Sequence, residues 1–179
     1  MKLILTLGLL ILSSTLQAQN FTLTSPDIKG QLTKKEVFNG FGCQGQNISP
    51  TLVWKEAPTA TKSFAITVYD PDAPTGSGWW HWLIFDINKK ITRLNTDAGH
   101  LALPSSPKGS IQSITDFGLQ GFGGACPPKG NKPHRYIFTV YALKEAKLGL
   151  TADANPAKVG FYLEKNALAK ASLIAYYGR

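Results

Sequence analysis

Cysteines number two in this chain and histidines three, basic residues outnumber acidic ones 19 to 11, and no apolar run is long. Each shortage excludes something. The longest apolar stretch, Leu3 to Leu12, falls short of the roughly 20 residues that cross a bilayer. Lys2 precedes it, and Ser13, Ser14 and the small-residue site Leu16-Gln17-Ala18 follow. That pattern predicts a secretory signal over residues 1–18, cleaved after Ala18, and a single mature domain over residues 19–179. No cysteine opens the mature chain, so no thiol is offered there for lipid attachment, and the product is expected outside the cytoplasm, in the periplasm or the medium. The spacing of the three histidines matches no zinc pattern, and neither metal nor cofactor is expected. Low-complexity tracts, internal repeats and linkers are missing, so one hydrophobic core is expected in the 161 residues (179 − 18) left after cleavage.

The charge, +8 over the whole chain and +7 without Lys2, is spread in ones and twos, as at Lys34-Lys35 and Lys89-Lys90. Nucleic-acid readers gather basic residues on one element or interleave them with stacking aromatics, so a solvated basic surface is the reading here. In an oxidising compartment the two cysteines, Cys43 and Cys126, are expected to pair. Closing a loop of 83 residues (126 − 43) contributes at most about 4 to 5 kcal/mol on the chain-entropy estimate.

Period-two alternation marks strands. Phe64, Ile66 and Val68 share one face, and Ala65, Thr67 and Tyr69 the other. Trp80 to Ile87, Arg135 to Leu143 and the shorter Thr51 to Trp54 read alike, separated by Pro, Gly, Ser and Asn clusters. The expected class is mainly β, an antiparallel core. At the end of the chain Asn155-Pro156 suits an N-cap and first turn, and Val159, Leu163, Ala167, Ala171 and Ile174 recur at spacings of four or three. A terminal amphipathic helix ending near Gly178 is predicted.

The chemistry-bearing residues sit between the strands. Asp70-Pro71-Asp72-Ala73-Pro74 closes one strand with two carboxylates and two prolines, which fix backbone angles and remove amide donors. From residue types alone these carboxylates equally suit a turn that caps free amides. His81 lies between tryptophans on a face expected to include Leu83 and Phe85, where a lone histidine is usually a satisfied core residue. His134 shares a face with Tyr136 after the proline-rich stretch Pro127 to Pro133. The glycines from Gly118 to Gly124 precede no helix, so they form no phosphate cradle of the nucleotide-binding kind. No Gly-X-Ser-X-Gly elbow is present, which weighs against a hydrolase with His81 or His134 as base.

Taken together, Asp70-Pro71-Asp72-Ala73-Pro74, Gly78-Trp79-Trp80-His81-Trp82, Pro127-Pro128, Pro133-His134-Arg135-Tyr136, Asn47-Ile48-Ser49-Pro50 and Tyr141-Ala142-Leu143 resemble the phosphatidylethanolamine-binding family. The likeness is greatest to its bacterial branch, called Raf kinase inhibitor-like. The resemblance covers nearly all of the mature chain. It implies a fold of two packed sheets and a small pocket lined by Asp70, Asp72, His81, Gly124, Pro127, His134 and Tyr136, holding phosphate-like anions or phosphorylated head groups without catalysis. It also implies a second reading, an exported module that binds or inhibits a protein such as a protease, and a possible homodimer. Eukaryotic members carry a longer insertion after the Asp-Pro-Asp motif; Thr75-Gly76-Ser77-Gly78 is short here, a departure that puts kinase regulation in doubt. Bacterial relatives usually have Asn-Asp before the aromatic-Gly pair, where this chain has Thr115-Asp116-Phe117-Gly118.

Overall fold

Alternating apolar residues need a partner for each face, and the chain supplies one in layers. The computed structural model describes residues 21–179; the predicted signal segment, residues 1–18, lies outside the described residues. The elements run β1 (Thr22–Thr24), β2 (Asn39–Gly40), β3 (Cys43–Gln44), β4 (Leu52–Lys55), β5 (Ser63–Asp70), β6 (Trp79–Asn88), β7 (Arg93–Leu94), β8 (Ile111–Gln112), β9 (His134–Leu143), α1 (Pro156–Asn166) and β10 (Ala167–Tyr177). β10-β9-β5-β6-β8 form a five-stranded sheet, β1-β4-β7 a three-stranded one, and β2-β3 a small hairpin. All the strand pairs are antiparallel.

Phe64, Ile66 and Val68 of β5 pack with Trp82, Phe138 and Val140 against Leu23, Leu52, Trp54 and Leu94 of the smaller sheet. The opposite face, with Ala65, Leu83, Phe85 and Leu143, is covered by Leu148, Leu150 and the inner side of α1, Val159 and Leu163. The order is therefore sheet, sheet, helix. Each large side chain fully withdrawn from water in these layers contributes roughly 1.5 to 3 kcal/mol.

The helix starts as expected. Asn155 Oδ1 accepts the amide of Lys158 at 2.9 Å and Pro156 takes the first turn. It does not run to Gly178. Asn166 ends it, and Ala167 onward is an edge strand paired with β9 from Ala167↔Leu143 to Tyr177↔His134. Exposure there alternates, with Ala167, Ala169, Ala171, Leu173 and Ala175 turned inward and Leu168, Lys170, Ser172, Ile174 and Tyr176 outward. A free edge on β9 offers a row of unpaired backbone groups, and satisfying them outweighs the helical preference of alanine and lysine.

Cys43 and Cys126 are bonded, with their Cα atoms 5.9 Å apart. The bond ties the β2-β3 hairpin to the segment that leads into the proline-rich loop before β9.

Candidate functional site

Three central strands finish at one end of the large sheet. β5 ends on Asp70, β6 begins at Trp79 and β9 begins at His134, so the turn of residues 71–78, the loop of residues 127–133 and the β2-β3 hairpin converge there. Between them lies a cavity of about 170 Å³. Asp70, His81, Pro127, His134 and Tyr136 line it, together with Trp79, Phe117, Phe41 and Thr75. The peptide bonds before Pro71 and Pro74 are trans.

His81 reaches this cavity through an irregularity. Strict alternation would place it with Leu83 and Phe85 under the helix. The pairing instead steps from Val68↔Trp82 to Tyr69↔Trp80, so His81 is an extra residue on β6. Such a bulge re-aims side chains, and here it brings the imidazole edge-on to Tyr136 at 5.1 Å and to Phe117 at 5.3 Å. The expected face for His81 is thereby corrected. Asp116 braces the irregularity: its Oδ2 accepts the Trp80 amide at 2.8 Å, and its own amide donates to Trp80 O at 3.1 Å.

The polar groups differ in how far they are committed. Asp70 is buried and both its oxygens are engaged, Oδ1 by the amide of Asp72 and Oδ2 by His134 Nδ1, each at 2.8 Å. On the far side of the His134 ring, Nε2 meets Asn131 Nδ2 at 3.3 Å. His81 Nδ1 stands 2.7 Å from the carbonyl oxygen of Gly123, which can only accept. Nδ1 therefore carries the hydrogen and Nε2 is the polar atom left over. Burial holds the His81 imidazole below its ordinary pKa, so the neutral ring is favoured. The Tyr136 hydroxyl is buried and its hydrogen has no acceptor among the described residues, and burial pushes its pKa above the usual phenol value.

Two residues predicted for the pocket stand elsewhere. Asp72 does not line the cavity: it grips Arg135, with Nε at 2.9 Å, Nη2 at 2.7 Å and the backbone amide at 2.8 Å. These hydrogen bonds from Arg135 hold its carboxyl down at about 2. Its part is to pin the β5-β6 turn to the start of β9. Gly124 lies behind the wall, where its amide donates to Asn47 Oδ1 at 2.7 Å while Asn47 Nδ2 donates to Phe122 O at 3.1 Å. A Cβ on Gly124 would collide with the backbone of Glu36 to Phe38, so the position requires glycine to let two segments meet. Asn47 thus accounts structurally for one of the quoted motifs. His100 is exposed and does not line the cavity.

The aromatic rim is the part that motif reading passes over. Phe41 stacks on Phe117 at 5.7 Å, Phe38 lies 4.5 Å from Phe117, and Trp79 meets Phe117 edge-on at 5.4 Å. The available signal was the pair of glycines flanking Phe41, which marks a tight turn carrying a large apolar residue.

Comparison with known proteins agrees with this architecture. The profile described as phosphatidylethanolamine-binding protein matches residues 24–178. The Escherichia coli protein YbcL is 49% identical over 177 residues, 98% of this chain and 97% of its own. YbhB of the same organism is 47% identical over 147 residues, 82% of this chain and 92% of its own. The crystal structure of E. coli YbcL, described as a new member of the mammalian PEBP family, superposes with a TM-score of 0.87 at 50% identity. It covers 89% of this chain and 98% of that one.

Proposed function

The chain belongs to the phosphatidylethanolamine-binding protein family, and from that premise we propose that it is an exported, non-catalytic binding protein whose cavity takes a phosphate-like anion or a phosphorylated head group. One observation carries the reading: the Tyr136 hydroxyl is buried at the cavity with no acceptor among the described residues. A buried donor without a partner costs about 1 to 3 kcal/mol, which an oxyanion would offset by accepting from it.

His81 extends the argument. With Nδ1 committed to Gly123, its Nε2 accepts while the ring is neutral and donates only once the ring is protonated. The cavity therefore receives an anion together with a proton, or a ligand that itself brings an acidic hydrogen. Two hydrogen bonds to the charged group, from Tyr136 and the protonated His81, contribute about 1.5 to 3 kcal/mol each before ordering and desolvation, which sets affinity in the millimolar range. The size fits a head group: about 170 Å³ lies below the ~300 Å³ at which drug-sized pockets begin.

The lining supports binding over catalysis. Asp70 and His134 have the geometry of a base and its orienting carboxylate. The neighbouring Thr75 hydroxyl, however, donates to Gly78 O, and the sulfur of Cys126 is in a disulfide. The disulfide also supports export, since such bonds persist in oxidising compartments. Calorimetric titration of the mature protein with phosphate, phosphoethanolamine and ethanolamine is the test. Saturable binding of the two anions, weakened in Tyr136→Phe, is the expected result; no heat with either anion at millimolar concentration overturns it.

A further inference from the structure

The turn that carries Phe41 is built against local preference. β2 and β3 pair Gly40 with Cys43, which leaves Phe41 and Gly42 as a two-residue loop with φ of 52° and 76°. Loops with two positive φ values favour Asn or Asp followed by Gly, because the left-handed region crowds a Cβ and only a short polar side chain compensates locally. Phe41 has no such compensation, and it is 69% exposed, so its ring gains little for folding. It nonetheless lines the cavity mouth and stacks on Phe117. A large apolar side chain held in an unfavourable conformation beside a pocket points toward a ligand.

The tip is also fastened more tightly than a hairpin of this size requires. At its base Phe38 donates to Ala125 O at 3.0 Å. Nearer the tip, the Cys43–Cys126 bond joins it to the cavity wall. Arg179 then bridges the same two segments, donating from Nε to Pro127 O at 2.6 Å and from Nη1 to Gly42 O at 2.9 Å. The rim is set before any ligand arrives, which removes the ordering cost from binding.

We propose that Phe41, clamped by the Cys43–Cys126 disulfide and by Arg179, determines the ligand specificity of the cavity. Its ring covers the apolar substituent of a monoester-type anion whose charged end meets Tyr136 and His81. The inference rests on the anion-binding reading and adds that bare inorganic phosphate is the poorer ligand. Arg179 acts as a positioning residue, through Gly42 rather than by touching the ligand.

The experiment compares inorganic phosphate with n-butyl phosphate by calorimetry on wild type, Phe41→Asn and Arg179→Ala, with melting curves for each. Asn suits a positive φ, so Phe41→Asn should melt no lower than wild type. Its preference for the butyl ester over inorganic phosphate should fall about tenfold, as expected from uncovering about two methylenes. Arg179→Ala should lower the same ratio. An unchanged ratio in Phe41→Asn, or equal loss for both ligands, overturns the role of the ring. An unchanged ratio in Arg179→Ala overturns the clamp. If wild type binds neither ligand, the anion-binding reading itself fails and takes this inference with it.

Discussion

The two ends of the β5-β9 pair bury polar groups in different ways. At the end near Ser63 and Leu143, Asp86 is withdrawn from water, yet its Oδ1 accepts the Leu148 amide at 2.8 Å and Lys147 approaches its Oδ2 at 3.7 Å. The Ser63 hydroxyl there donates to Glu145 O at 2.6 Å, and α1 covers the face. At the other end Asp70 and His134 satisfy each other, but the Tyr136 hydroxyl finds no acceptor among the described residues and a cavity stands beside it. Buried charge alone therefore marks nothing functional in this fold. The distinguishing feature is a buried donor left open next to a space a ligand fits.

The largest effect that sharpens this contrast is expected from Phe85→Ala under the helix. Phe85 is fully buried against Leu143, Val159 and their neighbours. Removing its ring should cost about 3 to 5 kcal/mol in urea unfolding, with anion affinity of the remaining folded protein unchanged. A matching loss of affinity would mean that the two ends are coupled through the sheet.

At the open end the signs reverse. Tyr136→Phe removes a buried hydroxyl whose hydrogen has no acceptor among the described residues, so stability should hold or rise by up to about 1 kcal/mol. Phosphate binding should weaken by about tenfold, the equivalent of one hydrogen bond to a charged group. A stability loss with unchanged binding would show that the hydroxyl serves the fold, and the contrast between the two ends would disappear.

The strands of the large sheet were legible because β5, β6 and β9 put strongly apolar residues at alternate positions. β10 was not, for a reason visible in its residues. Its inward positions are mostly alanine and its outward ones include Leu168, Ile174 and Tyr176, so size and polarity do not separate the faces. The same residues satisfy a helical spacing, and only the open edge of β9 decides between the two. In the cavity, Asp70, His134 and Tyr136 could be placed from alternation along two strands. Asp72, two residues beyond Asp70, turns to Arg135 because the turn redirects the chain, and His81 arrives through an added residue that alternation does not register. Phe41 stands in a two-residue loop far away in sequence, brought to the rim by a disulfide rather than by any local pattern.

The smallest expected effects are in pH dependence, where a buried imidazole and an outward carboxylate titrate in separate windows. Burial lowers the His81 pKa below its unfolded value of about 6.5, so the unfolded chain binds the proton more readily. Its stabilising share is fully present above about pH 6.5 and is lost as the pH falls below that value toward the lower folded pKa. Asp72, held at about 2 by Arg135 against an ordinary 3.8, contributes above about pH 4 and loses its share as the pH falls toward 2. Arg135→Gln should flatten only the acid window, and only slightly for so exposed a pair. Sulfate should act on the other window, because a bound anion favours the imidazolium and its own charge is constant there. Melting temperatures between about pH 5 and pH 7 should fall less steeply with sulfate than with chloride, and the difference should vanish in His81→Gln. Parallel slopes in the two salts would mean that His81 takes up no proton for the ligand, leaving Tyr136 as the only cavity donor this reading supplies.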